Sequence, residues 1–363
     1  MHIVIDARES GTSTGRYIDK LIEYLAKTKT DYTFTVVTKP KRADYIKKIA
    51  PDFKVVSSDI KEFTFSEQLK LNKVIKGLKP DLVHFGMVQQ PVLYSGKVVT
   101  SIQDLTTLRF NNPAKNLLVF KFKQLVYRMV VLRVIRKSKA IITPSRFVKE
   151  DLIRFSSSKE DKFYVTYYSA DKIEDRSEPI KGLLNKEFIM YVGRPTPHKN
   201  IEGLIKAFSI LKDKHPSLKL VLAGKKDTNY NRIEEMVKSI KLEDVFFTDF
   251  VSDGQLKWLY ENTKAYVFPS FSEGFGLPSL EAMAHKAPVV SSNATCLPEI
   301  SGDAALYFDP KDIKDMAEKI DSVISDETLR KDLIQKGQRQ LKKYSWEKTA
   351  LETLDVYNSI LKS

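Results

Sequence analysis

Residues 270–283, Ser270-Phe271-Ser272-Glu273-Gly274-Phe275-Gly276-Leu277-Pro278-Ser279-Leu280-Glu281-Ala282-Met283, hold the residue types needed to bind an anionic, polyhydroxylated ligand. Tyr266-Val267-Phe268-Pro269 before them reads as the end of a buried strand, and residues 273–277 as a glycine-bearing turn. A helix is expected from Pro278, since proline at the first helical position loses no amide. A strand, loop and helix mouth in that order aim backbone N–H groups and the positive end of the helix dipole at one place, which suits phosphate. Gly274 and Gly276 let the backbone come close. Glu273 is expected to stand exposed in the turn and Glu281 about one helical turn inside, so the two carboxylates flank the loop at different depths without forming a dyad. The two acids alone fit equally well a helix start with an acidic first turn.

A second constellation, Tyr191-Val192-Gly193-Arg194-Pro195-Thr196-Pro197-His198-Lys199-Asn200, ends one strand and precedes a helix. Arg194 and Lys199 place two cations beside a helix N-terminus, where a diphosphate would be held and its departure assisted. Two solvated loop cations are the plain alternative, and His198 is given no role. In the N-terminal half, Gly11-Thr12-Ser13-Thr14-Gly15-Arg16 is a glycine-bearing loop after the first strand, and Ser101-Ile102-Gln103-Asp104 ends a later one. Asp104 suits a hydroxyl contact or a helix cap equally. Doubly wound sheets bind ligands at the carboxyl ends of their strands, so Gly15, Gln103 and Asp104 are expected on one rim.

Residues 270–283 resemble the donor-sugar signature of the retaining glycosyltransferases of family 4, in which two glutamates eight positions apart are embedded in E-G-F-G-L-P-x-L-E-A-M. Val192-Gly193-Arg194 with Lys199-Asn200 is similar to that family's diphosphate-binding segment. The resemblance implies an α/β chain of two doubly wound, Rossmann-like domains facing across a cleft, the GT-B architecture, with acceptor mainly on the first domain and donor mainly on the second. It implies that Glu273 holds the hexose and Glu281 the ribose of a nucleotide-diphospho-sugar. Gly15, Arg194, Lys199, Gly274, Phe275, Gly276 and Leu277 would complete the donor site, with Gln103 and Asp104 joining Glu273 as catalytic residues. Where the family usually has His-Asp-Leu this chain has Gln103-Asp104-Leu105; glutamine keeps neutral hydrogen bonding but cannot titrate. The activity so implied is transfer of a hexose, mannose-type, with retention, to a glycan or lipid-linked acceptor in cell-surface polysaccharide synthesis. No residue stands out as a covalent nucleophile, and the resemblance implies attack from the face of departure. A nucleotide-sugar epimerase on the same fold and a non-catalytic sugar-nucleotide or glycan-binding protein are the competing readings, the latter suggested by Gln103.

The elements that must position these residues alternate strand and helix along the whole chain, the pattern of parallel sheets covered on both faces. With 363 residues there is length for two domains. They are expected at residues 1–170 and 187–345, joined by a polar linker at 171–186, with a last helix over 346–363 that, on the resemblance, returns to the first domain. The expected strands of the first domain begin at Ile3 and close with Ala140-Ile141-Ile142-Thr143-Pro144-Ser145, and a helix is expected over 13–27. No G-x-G-x-x-G follows any strand, which sets a dinucleotide-dependent oxidoreductase aside. The single cysteine, Cys296, excludes an internal disulfide, and five scattered histidines offer no metal cage. The donor-side strand ends carry no Asp-x-Asp, so no metal and no cofactor beyond the sugar-nucleotide substrate are expected.

No apolar run approaches the ~20 residues needed to span a bilayer, and the first residues read as a strand without leader features, so a cytoplasmic location is expected. The net charge of +14 nonetheless calls for an anionic partner. From Lys115 to Lys149 there are ten Lys or Arg and no acid, interleaved with Phe122, Leu125 and Met129. This segment reads either as a helix resting on an anionic membrane face through Lys121, Lys123 and Arg128, or as a helix packed on the first sheet whose wet side is basic. No nucleic-acid recognition motif accompanies the charge, and nucleic acid is not an expected partner.

Overall fold

Short runs of β-branched and aromatic residues, flanked by segments of helical period, form two parallel sheets. The computed structural model describes residues 1–12, 14–62, 64–110 and 117–362, with backbone alone for 117–120. Ser13 and Lys115, expected to open the first helix and the basic stretch, lie outside the described residues. The first sheet contains β1 (His2–Asp6), β2 (Thr33–Thr38), β3 (Lys54–Ser57), β4 (Leu82–Phe85), β5 (Val98–Ser101), β6 (Ala140–Thr143) and β7 (Phe163–Val165), in the order β3-β2-β1-β4-β5-β6-β7. The second contains β8 (Phe188–Val192), β9 (Lys219–Ala223), β10 (Val245–Asp249), β11 (Ala265–Phe268), β12 (Val289–Ser292) and β13 (Ala305–Phe308), in the order β10-β9-β8-β11-β12-β13. Each is a doubly wound sheet whose strand order reverses beside its own first strand. The reversals lie between β1 and β4 and between β8 and β11, and crevices form at such points.

The first unit comprises Met1–Arg109, Pro113–Tyr168 and Ser345–Ser363; the second comprises Phe110–Asn112 and Ser169–Tyr344. Residues 171–186 carry no regular element and are strapped to the second unit. The Glu178 N–H donates to the Gly254 carbonyl at 3.0 Å, and Lys257 Nζ to the Asp175 carbonyl at 2.9 Å. Apart from the short excursion at Phe110, the chain passes between units at Tyr168–Ser169 and again at Tyr344–Ser345.

The last helix, Trp346–Leu361, starts at Ser345, whose hydroxyl accepts the Lys348 N–H at 3.0 Å. It lies against helix Arg16–Lys27 in the first unit and buries Trp346, Thr349, Thr353 and Tyr357. Two strands were not expected from the sequence. The first sheet does not close with Ala140-Ile141-Ile142-Thr143 but continues to β7, and β3 extends its other side. Both are edge strands: β3 flanks two valines with Lys54 and Ser57 and has no fully buried residue, and β7, though apolar, is only three residues long, so neither reads as a strand from its own sequence.

Candidate active site

In the second unit the loops after β8 and β11 meet at the strand-order reversal. After β8, Gly193 has φ +137, and a Cβ there would stand 2.9 Å from Tyr191 Oη, so glycine is required. The loop ends on Asn200, in the left-handed region at φ +56. Its buried Nδ2 donates to the carbonyls of Pro269 at 3.1 Å and Pro310 at 2.9 Å. The Phe271 N–H donates to the His198 carbonyl at 2.8 Å. Main chain and Asn200 thus fix the two loops to each other.

Across this junction Lys199 Nζ donates to both oxygens of Glu273, at 2.6 and 2.9 Å. Ser270 Oγ donates to Glu273 Oε1 at 2.6 Å, and Thr295 Oγ1 accepts the Glu273 N–H at 3.1 Å. Cys296, its thiol pushed up by burial and then by Glu273 and Glu299, stays protonated and donates to the Glu273 carbonyl at 3.3 Å. The expectation of an exposed Glu273 is therefore corrected: its side chain is 11% exposed and held by Lys199 and Ser270, while its main chain is held by Thr295 and Cys296, onto which the turn folds inward.

Helix Leu277–Ala284 begins one residue earlier than expected, on Gly276 at φ +95, and no side chain caps it. An added Cβ at Gly276 would lie 2.7 Å from Leu297 Cδ2. Gly274 and Phe275 are buried beside it, Phe275 edge-on to Tyr344. Leu277 is half-buried, and Glu281, one turn into the helix, accepts Tyr260 Oη at 3.4 Å. The uncapped mouth leaves the positive dipole end for a ligand.

Arg194, 68% exposed, is ion-paired through Nε with Asp227. Asp227 caps helix Thr228–Ser239 by accepting the Asn229 and Tyr230 amides at 2.9 and 3.1 Å. Burial acts to raise the Asp227 carboxyl, but the Tyr230 amide, Arg194 and the Asn229 amide outweigh it and hold it low. The second unit therefore gathers Lys199, Glu273, Gly274, Phe275, Gly276 and Leu277, with Glu281 a turn deeper and Arg194 on the rim.

In the first unit, Gln103 Oε1 at the end of β5 accepts the Tyr168 hydroxyl, and Gln103 Nε2 is buried without a partner among the described residues. Burial and then Tyr17 push the Tyr168 phenol well above its ordinary value, so it remains the donor. Tyr168 is stacked between Tyr17, at 4.5 Å, and Trp346, at 5.7 Å. Asp104 Oδ1 accepts the Thr106 N–H at 2.7 Å, the cap role that its type allowed. Gly15 precedes helix Arg16–Lys27, and a Cβ there would fall 1.7 Å from the Glu9 carbonyl oxygen. Its glycine is thus required by packing whatever else it touches.

Sequence reasoning missed several residues. Asn200, Ser270, Thr295 and Asp227 hold the second unit's site. The Arg8 guanidinium, 2% exposed in the first unit, bridges Asp6 at 2.8 Å and Glu67 at 2.7 Å beneath Gly15 and Gly86. Burial opposes the Arg8 charge; Asp6 and Glu67 outweigh it and keep its pKa above the ordinary value. Asp6-Ala7-Arg8 directly after a buried strand was the available signal. A broad depression lined by His2, Thr33 and Lys54 lies at the opposite, amino ends of β1–β3, where doubly wound sheets do not place ligands.

Residues 14–171 match a family model described as Glycosyltransferase Family 4, and residues 173–340 one described as Glycosyl transferases group 1. The chain belongs to glycosyltransferase family 4. This family 4 chain is 33% identical over 230 residues to O-antigen chain mannosyltransferase B of Escherichia coli, a match covering 61% of it and 60% of that protein. It is 32% identical over 204 residues to O-antigen chain mannosyltransferase RfbU of Salmonella typhimurium, covering 56% of each. The matches span less than two-thirds of these relatives' lengths. Among solved structures, sucrose-phosphate synthase from Thermosynechococcus elongatus aligns at TM-score 0.78 and 19% identity, covering 100% of this chain and 99% of that one. Anabaena HepE in complex with UDP-glucose aligns at 0.76 and 16%, covering 99% and 100%. At such identities the likeness shows the fold, GT-B, alone.

Proposed function

We propose that this family 4 chain is a retaining, metal-independent hexosyltransferase of the cytoplasm, moving mannose from a nucleotide-diphospho-sugar to a glycan or lipid-linked acceptor in polysaccharide synthesis. The observation that carries the reading is the Lys199–Glu273 pair beside the uncapped mouth of helix Leu277–Ala284. A sugar with several hydroxyls would bind Glu273, while Lys199, Arg194 and the dipole meet the diphosphate, so positive charge is supplied without a divalent ion. Glu281 would hold the ribose. Gln103, with Nε2 buried and unpartnered, would donate a hydrogen bond to the transferred sugar, and Asp104 would orient that segment from its cap position. The names of the bacterial mannosyltransferase relatives support the sugar, and the UDP-glucose in HepE supports a nucleotide-sugar donor in this fold.

A thermal-shift panel of nucleotides and nucleotide-sugars, followed by turnover of the stabilising donor with glycan and lipid-linked acceptors, tests the reading. GDP-mannose is expected to raise the melting temperature more than mannose or free base, and the glycoside formed to keep the donor's anomeric configuration by NMR. EDTA should leave the rate unchanged; loss on chelation, restored by magnesium or manganese, would count against metal independence. Release of an epimer without acceptor, or binding with no turnover of any donor, would replace the transferase reading.

A further inference from the structure

Helix Leu117–Lys137 turns opposite faces to opposite surroundings. Val131, Val134 and Ile135 are buried with Ile102, Leu105 and Ile141 in the core of the first unit. On the other side Phe122, Leu125, Val126 and Met129 stand 67%, 55%, 38% and 54% exposed. Their spacing, i, i+3, i+4 and i+7, stacks them in one stripe over two turns. At about 100° per residue, Lys121 and Arg128 fall roughly a quarter-turn to one side of the stripe and Lys123 roughly a quarter-turn to the other. Arg133 and Arg136 continue the line of the stripe further along, and all five cations are exposed. No Asp or Glu occurs over residues 117–149.

Four large apolar side chains left together in water mark a surface that something covers. The flanking charge selects what. A second copy docked stripe to stripe would press like cations together, which costs free energy. A bilayer with anionic headgroups suits both parts at once: apolar side chains enter the acyl boundary while the flanking cations meet the headgroups. We propose that this face is a docking surface for an anionic lipid bilayer, with the helix lying along the interface. Among the described residues no helix is long and apolar enough to cross a membrane, so this attachment is peripheral. The proposal does not rest on the transfer reaction, and vesicle binding and turnover fail separately.

The test is flotation of the full chain with phosphatidylcholine vesicles with and without phosphatidylglycerol, alongside a Phe122→Trp variant read by fluorescence with bromine-labelled lipids. The protein is expected to float only with anionic vesicles, and the reporter to shift blue and be quenched. Combined Lys121→Glu, Lys123→Glu and Arg128→Glu should lower partitioning more than a hundredfold, at roughly fivefold or more per cation lost. Combined Phe122→Ser, Leu125→Ser and Met129→Ser should lower it tenfold or more. Both variants should keep the parent's melting temperature and its donor-induced thermal shift, since none of the six side chains is buried. Absence of binding to anionic vesicles overturns the proposal. So does binding that the serine variant retains in full with the reporter unquenched. A parent dimer that the serine variant converts to monomers also overturns it, by showing that a second copy covers the stripe.

Discussion

Lys199 and Glu273 neutralise each other before any ligand arrives, so each residue has a structural share as well as a chemical one. Lys199→Met should leave the Glu273 carboxylate, 11% exposed, with Ser270 as its remaining side-chain partner, and cost about 1–3 kcal/mol in urea unfolding. Glu273→Gln keeps the shape and should cost less stability, yet lower turnover about a hundredfold or more if the carboxylate stabilises the transferring sugar. A double-mutant cycle checks the coupling, since additive losses would mean that the ion pair is incidental. At Gln103 the decisive change is Glu. The carboxylate can still accept the Tyr168 hydroxyl, but it cannot donate to a sugar, so Gln103→Glu should slow turnover, and by leaving one carboxylate oxygen buried without a donor it should also lower the thermal midpoint. Equal rates at saturating substrates would remove Gln103 from the chemistry. The types at 273, 281, 194 and 199 were legible because chemistry in such a loop needs charge at set spacings. Their partners were not, since Asp227 reaches Arg194 and Thr295 reaches Glu273 only through folding over 33 and 22 positions.

The helix mouth at Leu277 depends on one backbone angle. Gly276 sits at φ +95 with Leu297 Cδ2 2.7 Å from where a Cβ would go. Gly276→Ala should therefore destabilise by about 1–3 kcal/mol and weaken donor binding together, measured by thermal melts and by titration with nucleotide-sugar. Normal affinity in a destabilised variant would show that the mouth does not touch the donor. Elements buried on both sides were legible from their apolar runs, and helix Trp346–Leu361 from the helical spacing of Leu351, Leu354 and Tyr357. The edge strands β3 and β7 were not, because β3 is half polar and half exposed and β7 is a run of only three residues.

At the scale of the whole molecule, helix Trp346–Leu361 and the first sheet share a buried chain of polar groups. Tyr357 Oη meets His84 Nδ1, Ser101 Oγ lies 2.8 Å from His84 Nε2, and Tyr17 Oη lies 3.0 Å from Ser101 Oγ. Burial pushes the His84 pKa down to about 3. The unfolded chain takes up a proton near pH 6.5 and the folded chain does not until near 3, so this group's contribution is full above pH 6.5 and declines as pH falls through that window. Between pH 7 and pH 5 it should remove about 2 kcal/mol of stability. Urea unfolding of the parent and of His84→Gln checks this: the variant should be weaker at pH 7 but lose less on acidification, and parallel losses would place the sensitivity elsewhere. The double passage between units adds a consequence in time. Translation delivers the first unit's strands early, yet Thr349, Thr353 and Tyr357 of the helix that covers them are made after every strand of the second unit. The domain begun first is therefore completed last, and a ribosome stalled before Ser345 should carry a protease-resistant second unit upstream of which the first remains open to cleavage.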